Sequence, residues 1–185
     1  RICLVGSEMC IRDRDKDGPV SFTISNISDL AGNVLSDVTA LTSGTTVTID
    51  KTAPSLSTVT LQSNNTENTD SAKSGDSVEL TIIANEDITT PQVQITSGDV
   101  SVNNAISVDG TGQNYTASYT VSSSDVSGSV AFIIENYTDL AGNAGPTVKT
   151  TTDSSNVTID LVSPILTTVS IASDNATNTL SLIHI

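Results

Sequence analysis

The feature that most constrains this chain is an internal repeat with a period of 110 residues. The motif Asp-Leu-Ala-Gly-Asn occurs at 29–33 and again at 139–143, and Val-Thr-Ile-Asp occurs at 47–50 and at 157–160. Aligning 18–69 with 128–179 needs no gap and gives 24 identities in 52 positions. A register kept over this length predicts a tandem array of similar structural units.

The repeat register also predicts where the units begin and end. Residues 15–52 match only the C-terminal part of a unit, 53–161 form one complete unit, and 162–180 match only the first strand of a following unit. Neither partial unit contains enough strands to close a sandwich of its own. We therefore expect 53–161 to fold independently and the two flanking pieces to be loosely held.

The two ends of the chain fall outside the repeat. Residues 1–14 and 181–185 resemble translated sequencing-adapter read-through, and we expect both to be foreign to the fold. Cys3 and Cys10 lie in the first of these tails, and the single histidine lies in the second. The alternative for the two cysteines is a disulfide or a metal site.

Composition excludes several functions. Asp and Glu number 21 against 7 Lys and Arg, for a formal net charge of −14, which disfavours binding to a phosphate backbone. No apolar run approaches the roughly 18 residues that a membrane-spanning helix needs. A single His, no Trp, and the absence of a Gly-x-Ser-x-Gly or phosphate-loop motif indicate that the chain is not an enzyme.

The pattern of short alternating runs predicts an all-β fold. Apolar and β-branched residues alternate in runs separated by Asn, Asp, Gly, Ser and Pro, which is typical of strands and turns. The predicted strands are A (56–62), B (77–84), C (92–96), D (105–108), E (115–121), F (130–137) and G (156–161). Seven strands in one unit predict an immunoglobulin-like sandwich, in which strands B and F face each other. Asp109-Gly110 predicts the turn between strands D and E. Since the complete unit contains neither Cys nor Trp, we expect no inter-sheet disulfide and a core of aliphatic side chains.

Three motifs of the chain together resemble those of a known family. Val-Thr-Ile-Asp-x-x-x-Pro, then Ser-Gly-Asp-Ser-Val-Glu-Leu-Thr-Ile, then Asp-Leu-Ala-Gly-Asn-Ala-Gly is similar to the bacterial Ig-like repeats of large surface and secreted adhesins. The resemblance covers nearly all of 15–180. It implies an extracellular or cell-surface module that acts as a spacer or adhesive segment, with neighbouring repeats and host or biofilm surface ligands as partners.

Topology predicts one candidate metal site. In a seven-stranded sandwich the entering linker, the B–C loop and the F–G loop lie at the same pole. They carry Asp50, then Glu86 and Asp87, and then Asp139 and Asn143. Hard oxygen ligands of this kind suit Ca²⁺, which takes six to eight oxygens. The alternative is that these acids are solvated loop residues that serve solubility.

Three functions stay open from the sequence. The unit is a structural or adhesive repeat of a surface protein, a ligand-binding module for a glycan or a protein, or a non-catalytic appendage of a secreted hydrolase. The scarcity of aromatic residues weakens glycan binding by ring stacking.

Overall fold

The computed structural model describes residues 16–172, in which eleven β-strands form the regular structure. No helix occurs in this range, and therefore none that is long and apolar enough to cross a membrane. The predictions for 1–14, 181–185, Cys3 and Cys10 lie outside the described residues, as does 173–180 of the predicted following strand. The strands are β1 (Gly18–Pro19), β2 (Thr48–Ile49), β3 (Leu56–Ser63), β4 (Ser71–Ala72), β5 (Ser77–Ala84), β6 (Gln92–Ser97), β7 (Val100–Ser101), β8 (Ser107–Thr111), β9 (Asn114–Thr120), β10 (Gly128–Glu135) and β11 (Thr158–Ile159).

The nine strands from β3 to β11 form a sandwich of two sheets. One sheet has the order β3-β5-β9-β8, and the other has the order β4-β11-β10-β6-β7. Lettered in the usual way these are A-B-E-D and A′-G-F-C-C′, the strand distribution of immunoglobulin-type sandwiches. The all-β sandwich architecture therefore agrees with the expectation from the sequence.

The expected count of seven strands is wrong, because the complete unit 53–161, hereafter the central unit, has nine. The two that were missed, β4 and β7, are two residues long, and alternation cannot be detected over so short a run. β4 pairs in parallel with β11, and β7 extends β6 at the sheet edge. Strand G was also predicted too long, since only Thr158 and Ile159 pair as β11.

The turn predicted at Asp109-Gly110 lies three residues too early in the chain. Both residues belong to β8, where Gly110 pairs with Tyr115, and the chain reverses at Gly112-Gln113 instead. Gly112 has a φ of +64°, which suits the tight reversal. At Gly110 a side chain would overlap the carbonyl oxygen of Asn114, so glycine is needed there for close packing of two backbones.

The core is built from the inward-facing residues of both sheets. On β5, Val78, Leu80 and Ile82 are 0% exposed, and on β10 the inward residues Phe132 and Ile134 are likewise buried. Completely burying one such side chain stabilises the fold by about 1.5–3 kcal/mol. The inward residues of strands B and F thus belong to one core cluster between the two sheets. The other large side chains that are fully buried are Val59, Leu61, Val121, Tyr137, Val157 and Ile159.

The segment 16–50 repeats the β10–β11 part of the central unit pair by pair. Each antiparallel pair recurs with both residue numbers raised by 110. The matching pairs are Gly18–Ile49 and Gly128–Ile159, Ile24–Val38 and Ile134–Val148, and Ser28–Val34 and Thr138–Ala144.

The apolar face of this first segment is uncovered. Ile24 is 39% exposed whereas its equivalent Ile134 is 0% exposed, and Val47 is 66% exposed whereas Val157 is 0% exposed. The same local pairing therefore occurs with and without a second sheet. The backbone register belongs to the local sequence, while burial depends on the strands of the other sheet.

Tyr137 and Gly145 pack against each other, and the first segment has different residues at both equivalent positions. The N–H of Gly145 donates to the carbonyl of Tyr137 at 2.9 Å, and the Tyr137 hydroxyl donates to the Pro146 carbonyl at 2.9 Å. A Cβ on Gly145 would overlap the tyrosine ring. The equivalent residues in 16–50 are Ile27 and Leu35, whose backbones make the same bond at 2.8 Å.

We predict strong coupling between these two positions. Gly145→Leu alone should lower the stability of the central unit by about 1–3 kcal/mol, because the new side chain overpacks against the Tyr137 ring. In Tyr137→Ile/Gly145→Leu the loss should be smaller than the sum of the two single losses, since the pair found at 27 and 35 is restored. Chemical denaturation of the full chain measures both effects.

Ala144→Leu is the matched control, because Ala144 is exposed next to the coupled site. It should change stability by less than about 0.5 kcal/mol. Additive losses in the double variant would mean that the ring and the glycine do not depend on each other.

Candidate functional site

Three segments converge at the pole where the linker (50–55) enters the central unit. The linker is anchored by a reciprocal pair, in which Ser55 N–H donates to the Asn85 side chain at 2.7 Å and Asn85 N–H donates to the Ser55 carbonyl at 2.9 Å. The B–C and F–G loops are joined in turn. Thr89 N–H donates to the Thr138 carbonyl at 2.8 Å, and Thr138 N–H donates to the Thr89 hydroxyl at 2.9 Å. These bonds fix the acidic side chains on neighbouring loops.

The Asp-Leu-Ala-Gly-Asn motif forms a closed turn held by its first and last residues. Asp139 accepts the Asn143 backbone N–H at 2.8 Å through Oδ1 and the Asn143 amide at 2.7 Å through Oδ2. Gly142 has a φ of +98°, which favours glycine at that position. The first copy has the same two bonds from Asn33 to Asp29, at 2.8 and 2.7 Å. The motif therefore specifies this turn in both places.

The structure brings three of the predicted metal-site residues together. Asp50, Glu86 and Asp139 each place one carboxylate oxygen within 4.8 Å of the other two. Asp139 is only 2% exposed, while Asp50 and Glu86 are partly buried. Three carboxylates at this separation repel one another unless a cation or proton compensates them.

Hydrogen bonds within the turn keep the Asp139 carboxylate in its charged form. Burial raises the pKa of its carboxyl group, but hydrogen bonds from the Asn143 side chain, the Asn143 backbone and the N–H groups of the turn outweigh it. The net result is a pKa below the usual value of 3.8. The pKa of Asp29 is lowered too, first of all by the Asn33 side chain. The turn itself therefore stabilises a negative charge at this pole.

The other two predicted residues have different positions. Asp87 is exposed, and its carboxylate lies against Gly112 of the D–E turn, outside the group of three. Asn143 faces the group with its amide nitrogen, which donates to Asp139 and, at 3.1 Å, to the Asp50 carbonyl. In this geometry the Asn143 side chain donates to its neighbours, and the Asn143 backbone carbonyl accepts the Asp139 N–H at 3.1 Å.

One residue at the junction was missed by the sequence analysis. The Asp17 carboxylate accepts the Lys51 N–H at 3.1 Å and the Thr52 hydroxyl, so it binds the linker from the side of the preceding segment. Its equivalent Ser127 accepts the Leu161 N–H at 3.1 Å at the next linker. The 110-residue offset that relates Asp17 to Ser127 is the signal that could have revealed this role.

Comparison with known proteins adds little to this geometry. A solved structure of titin M4 in its trigonal form is 15% identical, covers 62% of this chain and 100% of that chain, and has a TM-score of 0.34. No protein-family model matches the chain, and no curated protein matches it either. The fold assignment therefore rests on the strand order and the core described above.

We predict that Asp139 makes the central unit sensitive to acid. A carboxyl group with a lowered folded-state pKa contributes stability above its unfolded pKa, and that stability is lost as the pH falls through the folded pKa. The contribution of Asp139 should therefore be complete at pH 6 and be lost progressively as the pH falls below about 4. Melting of the full chain with and without Asp139→Asn should show a wild-type advantage of several degrees at pH 6 that shrinks at pH 3.

Asp29→Asn is the matched control, since it changes the same motif where the turn is exposed. Its melting midpoint should follow the wild type at every pH. A difference between Asp139→Asn and wild type that stays constant from pH 6 to pH 3 would contradict the account of the charge.

Proposed function

We propose that this chain is a section of a tandem array of Ig-like repeats that serves as an extracellular spacer or adhesive segment of a bacterial surface or secreted protein. Residues 15–52 are the end of one repeat, 53–161 are a complete repeat, and 162–180 begin the next. The observation that carries the proposal is the recurrence of one set of strand pairs at an offset of 110 residues. The module is not an enzyme in this proposal.

Exposed apolar residues at both ends support the array. In 16–50 some of them, such as Ile24, occupy positions whose equivalents are core residues of the central unit. At the other end Val169 and Ile171 are 81% and 102% exposed, while the equivalent Val59 and Leu61 are 0% and 1% exposed. An array supplies a covering sheet for the first set and a partner strand for the second.

We further propose that Ca²⁺ stiffens the junction by binding Asp50, Glu86 and Asp139. Oxygens that share one Ca²⁺ at 2.3–2.6 Å lie at most about 5 Å apart, and the 4.8 Å separation of these carboxylate oxygens meets that limit. Asp50 belongs to the linker, whereas Glu86 and Asp139 belong to the loops of the complete repeat. An ion held by all three would tie the linker to the repeat that follows it.

Calcium should raise the melting midpoint of the full chain. Extracellular modules bind Ca²⁺ with dissociation constants of about 10⁻⁴–10⁻³ M. In about 10 mM Ca²⁺, binding to the folded state alone adds roughly 1.4–2.7 kcal/mol. That corresponds to a rise of about 5–15 °C relative to chelator. Small-angle scattering of the same samples should show a narrower range of shapes with Ca²⁺.

Glu86→Gln should abolish the calcium response, because it removes one of the three carboxylates. Asp87→Asn is the matched control, since Asp87 lies outside the group of three, and it should respond like the wild type. Mg²⁺ should produce a smaller shift than Ca²⁺. If neither the midpoint nor the scattering changes with Ca²⁺, the three acids are solvated loop residues and the calcium proposal is wrong.

A further inference from the structure

The linker is hydrogen-bonded from both sides. Asp17 holds it from the preceding segment through the Lys51 N–H and the Thr52 hydroxyl. From the central unit, the Asn143 amide donates to the backbone carbonyl of Asp50 at 3.1 Å. Asp50 and Asn143 are 93 residues apart in the chain, so this bond is a true contact between linker and repeat.

We infer that the Asp-Leu-Ala-Gly-Asn turn is an inter-repeat latch, whose partner is the Val-Thr-Ile-Asp segment that ends the preceding repeat. Asn143 is the positioning residue of this latch. The inference rests on the proposed tandem array and deepens it, because it assigns a role to the two motifs that recur together. The latch acts independently of the proposed calcium ion.

The turn holds the Asn143 side chain ready for this bond. Its backbone N–H and its amide both donate to Asp139, one to each carboxylate oxygen, so the side-chain rotamer is fixed by the turn. The amide has two N–H groups, and the one not used by Asp139 can reach the linker. A bond made by a side chain that is already ordered costs little further conformational entropy.

The latch does not require a particular side chain at the position of the acceptor. The Asp50 carbonyl belongs to the main chain, so any residue at the end of the preceding G strand could supply it. Pro54 follows within the same linker and is fully buried, which limits how far the linker can move from the turn. The latch and the buried proline together orient the entering chain.

The first copy of the motif provides an internal control, because it forms the same turn without the bond to the linker. Asn33 makes the same two bonds to Asp29 that Asn143 makes to Asp139. Within 16–172, the Asn33 amide has Asp29 as its hydrogen-bond partner and contacts no linker carbonyl. A substitution at position 33 therefore removes the local bonds of the turn and leaves the latch intact.

Limited trypsin digestion of the full chain tests the latch, because Lys51 lies in the linker itself. All samples contain chelator. Asn143→Ala should accelerate cleavage after Lys51 about 2- to 10-fold, the factor expected when one hydrogen bond to a backbone carbonyl is lost. Asn33→Ala should leave that rate unchanged. Cleavage after Lys73, in the A–B turn, should be unchanged in Asn33→Ala. In Asn143→Ala it should rise less than cleavage after Lys51, because the lost bond to Asp139 also lowers the stability of the unit.

Two results would overturn the inference. One is cleavage after Lys51 that is equally fast in Asn143→Ala, Asn33→Ala and wild type. The other is a parallel acceleration after Lys51 and Lys73 in Asn143→Ala, which would show that the variant merely destabilises the whole unit. Since no sample contains Ca²⁺, the outcome is independent of the calcium response. A failed latch and a failed calcium site are therefore distinguishable.

Discussion

The packing of the sheet that contains β5 against the sheet that contains β10 is the interaction on which the rest of the structure depends. Residues 16–172 contain no cysteine, so inward side chains such as Leu80, Ile82, Phe132 and Ile134 must join the two sheets by contact alone. That packing fixes which face of each strand is buried, because a shift of one residue would turn every side chain over. It also fixes the ends of the strands, and thereby the loops that carry Glu86 and Asp139.

Much of the fold could be predicted because the long strands have a clear period of two. β5 was predicted with its observed bounds. β3 and β6 differ from prediction by one residue at one end, and β9 and β10 are displaced by one and two residues. The short strands β4 and β7 could not be predicted, since two residues have no period and their pairing is decided by neighbours distant in sequence. Gly110 was mistaken for a turn residue because glycine suits both a tight turn and a close backbone approach.

At the candidate site too, some features could be predicted from the sequence and others depend on the conformation of the loops. Topology alone placed Asp50, Glu86 and Asp139 at one pole, and they lie together there. Asp87 could not be separated from Glu86 by that argument, because only the loop conformation sends adjacent side chains in different directions. The donation from Asn143 to the Asp50 carbonyl depends on the closed turn of the motif, which becomes visible only in three dimensions.

The central claim is that 53–161 is one cooperative unit and that the pairing in 18–49 is local and uncovered. Amide hydrogen exchange of the full chain tests it most directly, because protection reports the free energy of opening at each N–H. The account predicts the strongest protection in β5 and β10, with Ile82 and Ile134 exchanging only by global unfolding. The equivalent Ile24 should exchange orders of magnitude faster. Protection of Ile24 equal to that of Ile134 would contradict the account.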